Sequence, residues 1–172
     1  MRTKVASRKS ERVTRILVAT CAAVVLMPLA PAAGAQDPGA PPLFVRASVT
    51  TAGPYGESWH LTLAPDGAVS LQVSYRTNPS GNLTARFQLS GERVEAVRSA
   101  SEAQHFLDLP AELEPEVVQF HRPHLKLEFH LDGRHHEVSL YDPPALKSHA
   151  AARRFLEVWE TVFAGLPIKP SW

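Results

Sequence analysis

Cysteine is nearly missing from this sequence of 172 residues, where Cys21 is the only one. It lies in an apolar run near the N-terminus, ahead of the stretch that reads as a folded domain. One thiol cannot make an internal disulfide, so a disulfide scaffold is excluded and stability must come from core packing. Aromatic residues make up only 8% and methionines number two. Trp59, Trp159 and Phe163 fit the alternation or the helical stripe and are expected in the core. No H-E-x-x-H pair, G-x-S-x-G elbow, Gly-rich phosphate loop or S-x-x-K is present. His121 and His124 are separated by Pro123, so they do not form a helical pair on one face. No order of Ser, His and Asp singles itself out. These absences favour a protein that is not an enzyme.

Positive charge is scarce where it would matter. The chain has 18 Lys and Arg against 17 Asp and Glu, a formal charge of +1. Six of the basic residues and only one acid, Glu11, fall within residues 1–35. The remaining 137 residues hold 12 basic and 16 acidic groups, a net charge of −4. A negative domain with no basic stripe and no interleaved aromatics does not suit nucleic acid.

The basic N-terminus has the order of a secretory signal. Arg2 to Arg15 supply the positive region, residues 16–30 the apolar run, and Ala33 and Ala35 the small residues of a cleavage site. The apolar run of 15 residues falls short of the ~20 that a bilayer requires, and Pro28 and Pro31 break its end. Residues 1–35 are therefore expected to be a signal peptide cut after Ala35, sending the protein to the periplasm or the medium, with no membrane attachment afterwards. Residues 36–42 (QDPGAPP) read as a flexible linker, and residues 43–172 as a single domain.

Within that domain, four stretches alternate with a period of two. They are marked by Val45, Ala47 and Val49; Trp59, Leu61 and Leu63; Val69, Leu71 and Val73; and Leu83, Ala85 and Phe87. Turn residues separate them, including Pro65-Asp66-Gly67 and residues 78–82. Ser90 begins a helix that carries Val94 and Val97 inward. In the acidic connection that follows, Val117, Val118 and Phe120 form either a short strand or a loop anchor. Residues 124–131 and 134–141 flank Asp132-Gly133, a strong two-residue hairpin signal. A last helix over about residues 145–164 carries Phe155, Trp159, Val162 and Phe163 on one stripe, with Arg153 and Arg154 on its solvated side. The order β-β-β-β-α-β-β-α predicts an α+β fold, an antiparallel sheet with two helices packed on one face.

All eight histidines lie beyond residue 35, and five of them fall between 121 and 136. Counting back from the Asp132-Gly133 turn pairs His130 with His135 and Glu128 with Glu137 on the face opposite Leu125, Leu127, Phe129 and Leu131. Two carboxylates set directly opposite repel. Lys126, a protonated imidazole or a metal ion would each relieve that. His130, His135, Glu128 and Glu137 are thus candidate metal ligands, with zinc the fitting ion, since it accepts imidazole nitrogen and carboxylate oxygen alike. A plain solvated face that needs no cofactor is the other reading. Full protonation of the eight histidines would carry the charge of residues 36–172 from −4 to +4. Tyr55, on the loop Ala52-Gly53-Pro54-Tyr55-Gly56, has no periodic reason to be buried and is a candidate contact residue.

That Gly-rich loop between the first two strands, together with Phe106-Leu107-Asp108-Leu109-Pro110 at the exit of the first helix, resembles the emfourin family of small inhibitors of thermolysin-type metalloproteases. The order of elements over residues 43–166 agrees. The signal peptide, the longer first sheet and the His-rich second hairpin depart from it. The resemblance implies a non-catalytic module that binds a protein or peptide. The sequence alone therefore points first to an exported protein- or peptide-binding module, with protease inhibition its sharpest version, then to a metal-binding protein that uses the hairpin over residues 124–141, and third to an enzyme.

Overall fold

The structure, a computed structural model, describes residues 44–51 and 56–170. The expected signal peptide and linker, the contact candidate Tyr55 and the terminal Trp172 lie outside the described residues. The strands are β1 (Phe44–Thr50), β2 (Glu57–Leu63), β3 (Ala68–Tyr75), β4 (Leu83–Gln88), β5 (Glu112–Leu113), β6 (His124–Leu131) and β7 (Arg134–Tyr141). The helices are α1 (Gly91–Ala103) and α2 (Ala150–Phe163). The strands form one sheet in the order β4-β3-β2-β1-β6-β7-β5. Every pairing is antiparallel except the short parallel contact of β5 with β7. This is the α+β architecture read from the sequence, with one strand added.

Alternation explains which face is dry. Val45, Ala47 and Val49 of β1, Trp59, Leu61 and Leu63 of β2, and Val69, Leu71 and Val73 of β3 are all buried. Leu125, Leu127, Phe129 and Leu131 of β6, with Val138 and Leu140 of β7, continue the same face. The helices close it. α1 contributes Val94, Val97 and Ser101, and its cap forms as expected, the Ser90 side chain accepting from the Arg93 N–H. α2 contributes Phe155, Val158, Trp159, Val162 and Phe163. Its rings stack one turn apart, with centroids 6.0 Å apart from Phe155 to Trp159 and 4.6 Å from Trp159 to Phe163. Such pairs add roughly 0.5–1.5 kcal/mol each beyond the area they bury.

Three expectations need correction. Val117, Val118 and Phe120 form neither a strand nor an anchor: they are 76%, 52% and 87% exposed. The added strand is β5 instead, because Leu113 is the apolar residue of this connection that reaches the core. The last helix starts later than expected. Pro143–Leu146 turns as a 3-10 helix, and His149 then caps α2, its Nδ1 accepting from the Ala152 N–H at 3.4 Å. Arg154 is not merely solvated. Its Nε donates to the Gln104 carbonyl at 2.7 Å and its Nη2 to the His105 carbonyl at 2.9 Å, just past the C-terminus of α1. Helix ends leave such carbonyls without intrahelical donors. No described helix is long and apolar enough to cross a membrane.

Candidate metal site

The opposite face of the sheet holds the polar partners of the same strands. The turn between β6 and β7 places Asp132 at φ 55° and Gly133 at φ 74°, both left-handed, as a two-residue hairpin requires. It fixes the register His130↔His135, Glu128↔Glu137 and Lys126↔Ser139. On its other side β6 pairs with β1, which sets Arg46 opposite Glu128 and Phe44 opposite His130. Glu128 therefore sits mid-sheet, in a row running Arg46, Glu128, Glu137.

The two carboxylates of that row part company. Glu137 turns to Lys126, whose Nζ lies 3.2 Å from its Oε1. Glu128 turns the other way, toward three neighbours. Arg46 Nη1 donates to its Oε2 at 2.8 Å. His130 Nε2 meets its Oε1 at 2.9 Å and His135 Nε2 meets the same oxygen at 3.0 Å. The His130 and His135 rings lie 4.5 Å apart, and Phe44 packs edge-on against His130 at 5.3 Å. The carboxylate is covered by these groups although its strand face is open, so Glu128 is buried.

Burial alone would raise the Glu128 pKa. The His130 hydrogen bond, the Arg46 charge, the His135 hydrogen bond and the charge of His130 outweigh it and hold the carboxyl below the ordinary value. Glu128 is thus an anion at neutral pH, aimed at two imidazoles. Farther along β6, burial lowers the pKa of His124, and the Lys126 charge lowers it further, while Glu114 and Glu137 push back.

Glu128, His130 and His135 can each offer one ligand atom, all within 4.8 Å of one another. A tetrahedral zinc ion at ~2.0–2.1 Å from nitrogen and oxygen donors spaces those donors roughly 3.3 Å apart. The 2.9 and 3.0 Å contacts would open by a few tenths of an ångström. Each imidazole would move its remaining proton to Nδ1, and Arg46 would stay on the second carboxylate oxygen, orienting it as an outer partner does. The same trio is also self-consistent as a hydrogen-bonded cluster, two N–H groups donating to one oxygen. Of the four sequence candidates, the structure brings together Glu128, His130 and His135 and commits Glu137 to Lys126. Sequence reasoning missed Arg46 and Phe44, because both reach the site through the pairing of β1 with β6.

A second feature lies beyond the far end of the β6–β7 hairpin. The chain over residues 116–122 carries the exposed Val117, Val118 and Phe120, yet it is tied down at Gln119. The Tyr141 hydroxyl donates to the Gln119 carbonyl at 2.5 Å. Arg122 donates to the Gln119 side-chain oxygen through Nε at 3.0 Å and also through Nη2. Arg122 in turn meets the buried Asp142 at 3.5 Å. Measured against known proteins, the chain matches no family model and no curated protein.

Proposed function

We propose that this is an exported binding protein, acting without catalysis of its own, that takes a zinc-class divalent ion on the open face of its sheet. The supporting observation is one carboxylate oxygen held 2.9 and 3.0 Å from the Nε2 atoms of two histidines on adjacent strands. Two nitrogens and one oxygen suit zinc better than calcium or magnesium, which prefer all-oxygen shells. The N-terminal sequence supports export to the periplasm or medium after cleavage behind Ala35. N-terminal sequencing of the exported protein checks that part.

Zinc titration tests the site. Micromolar zinc is expected to move the NMR signals of His130 and His135 and leave His60 in place. His135→Ala should weaken binding by about tenfold or more, since loss of an outer partner alone costs 10–100-fold. Glu137→Gln should leave it nearly unchanged. Unmoved His130 and His135 signals would refute the reading.

A second reading rests on the exposed Val117, Val118 and Phe120 held up around Gln119. Such a pinned apolar tip suits a protein or peptide partner, and the emfourin resemblance suggests a metalloprotease. Incubation with a thermolysin-type protease tests this. Unchanged turnover at stoichiometric excess removes the inhibitor version.

A further inference from the structure

The two edges of the sheet are finished differently. Beyond β7 lies β5, and the loop over residues 114–123 follows it. Beyond β4 no strand is paired among the described residues. β4 is six residues long, unbulged in its pairing with β3, contains no Pro or Lys, and carries Arg86 as its one charged residue. Edge strands are ordinarily blunted by such residues or by a bulge, because a bare ladder accepts another chain.

Which groups are bare follows from the hydrogen-bond phase. The Leu89 N–H bonds the Gly67 carbonyl at 2.9 Å, and the register continues through Val69↔Phe87, Leu71↔Ala85 and Val73↔Leu83. Antiparallel pairs alternate between bonded and non-bonded types. Leu83, Ala85 and Phe87 thus spend their backbone groups on β3, and Thr84, Arg86 and Gln88 direct theirs outward. On the core side of the same strand, Leu83 is still 42% exposed.

This edge is complementary to itself. An antiparallel copy with Ala85 on the two-fold axis sets Thr84 opposite Arg86 and Leu83 opposite Phe87. The outward groups then fall in phase to form hydrogen-bonded pairs. The exposed Leu83 gains an apolar cross-strand partner, and each Arg86 faces a neutral Thr84. Centring the pair on Arg86 would oppose two guanidinium groups, a penalty that selects against that register. We propose that β4 is a homodimerisation edge, joining two copies of this chain through Ala85-centred antiparallel pairing into one continuous sheet. The contact is isologous and closes on itself, so it makes a dimer and no fibre.

Cysteine cross-linking reads the register directly. In a full chain carrying Cys21→Ser, Ala85→Cys places two thiols at a non-hydrogen-bonded pair with Cα atoms ~4.5 Å apart, inside the range a disulfide spans. It should oxidise to a covalent dimer. Leu83→Cys alone should not, because its symmetry mate lies four residues along the strand, roughly 14 Å away. Leu83→Cys mixed with Phe87→Cys should cross-link to each other. Sedimentation of the unaltered protein should show a concentration-dependent dimer. Arg86→Pro removes an outward N–H that the pairing with β3 does not use, and should give a monomer with unchanged circular dichroism. If that variant fails to fold, the cysteine series still decides. A monomer at every concentration with Ala85→Cys unlinked overturns the proposal, and so does equal linking at Leu83→Cys alone. Zinc plays no part in this edge, so either result leaves the metal reading standing or falling separately.

Discussion

Replacing Glu128 by Gln keeps the shape of the side chain and removes its charge. The carboxylate accepts at 2.8 Å from Arg46, 2.9 Å from His130 and 3.0 Å from His135. An amide cannot serve all three. With its oxygen toward the imidazoles, its NH2 confronts the guanidinium. With its oxygen toward Arg46, both imidazoles must become acceptors by moving their protons to Nδ1. The first arrangement has a cheap escape, because the Arg46 side chain is 57% exposed and can turn to water, and the second needs only a change of tautomer. The expected cost at neutral pH is therefore about 1–2 kcal/mol, at the low end for a single hydrogen bond to a charged group. That is well under the 3–5 kcal/mol of a broken buried ion pair. For a domain of about 130 residues it corresponds to a melting point lower by roughly 3–8 °C. The pH dependence sharpens the test. The folded-state pKa of Glu128 lies below its ordinary value. Its contribution is thus fully present above the unfolded value near ~4.3 and is lost as pH falls through the folded one. Melting curves of the protein and of Glu128→Gln should differ at pH 7 and converge in strong acid. Equal stability at pH 7, or a gap that persists undiminished at low pH, would refute the account of the cluster.

The other side chains give further expectations. His124 has a lowered folded-state pKa, from burial first and Lys126 second. Its unfolded form takes up a proton below ~6.5, so stability should fall as pH drops from there through the folded value, and His124→Gln should flatten that slope in urea titrations. Gly133→Ala meets no atom within 4 Å of the added Cβ, so only its φ of 74° opposes the change. About 1–2 kcal/mol should be lost, measured by denaturation. Phe155→Ala empties a fully buried position on the α2 stripe and should cost about 3–5 kcal/mol, whereas Phe120→Ser at an exposed tip should stay within about 0.5 kcal/mol. If the two variants proved equally destabilised, the loop over residues 116–122 would have to be packed, contrary to its exposure.

Local pattern carried the sequence reading a long way. Asp132-Gly133 strongly favours a two-residue turn, so every pair in the β6–β7 hairpin follows by counting back from it, including His130 with His135. The apolar stripe of α2 and the Ser90 cap were legible for the same reason, since each depends on residues within a turn or two. The place of β1 was not legible. Its pairing with β6 joins positions 74 to 86 residues apart, and no local period encodes that choice. The Arg46 and Phe44 contacts to the cluster were therefore invisible. The acidic connection misled because Val117, Val118 and Phe120 are apolar without being buried. Glu112–Leu113 could be recognised as a strand only once β7 offered it an edge.

The position of β1 also bears on how the chain reaches its final state. β1 to β4 form a meander of neighbours, which closes through short loops and can assemble early. One side of β1 then stays bare until His124–Leu131 has been made and can pair with it. Closing so long a loop is entropically costly, and until it closes the central strand of the sheet is an edge. A chain truncated before residue 124 would keep Val45, Ala47 and Val49 on an open ladder, a template for association with other chains. Completion of the protein thus depends on its last quarter arriving intact, and the slowest step in refolding should be the docking of the β6–β7 hairpin onto the strand that begins the domain.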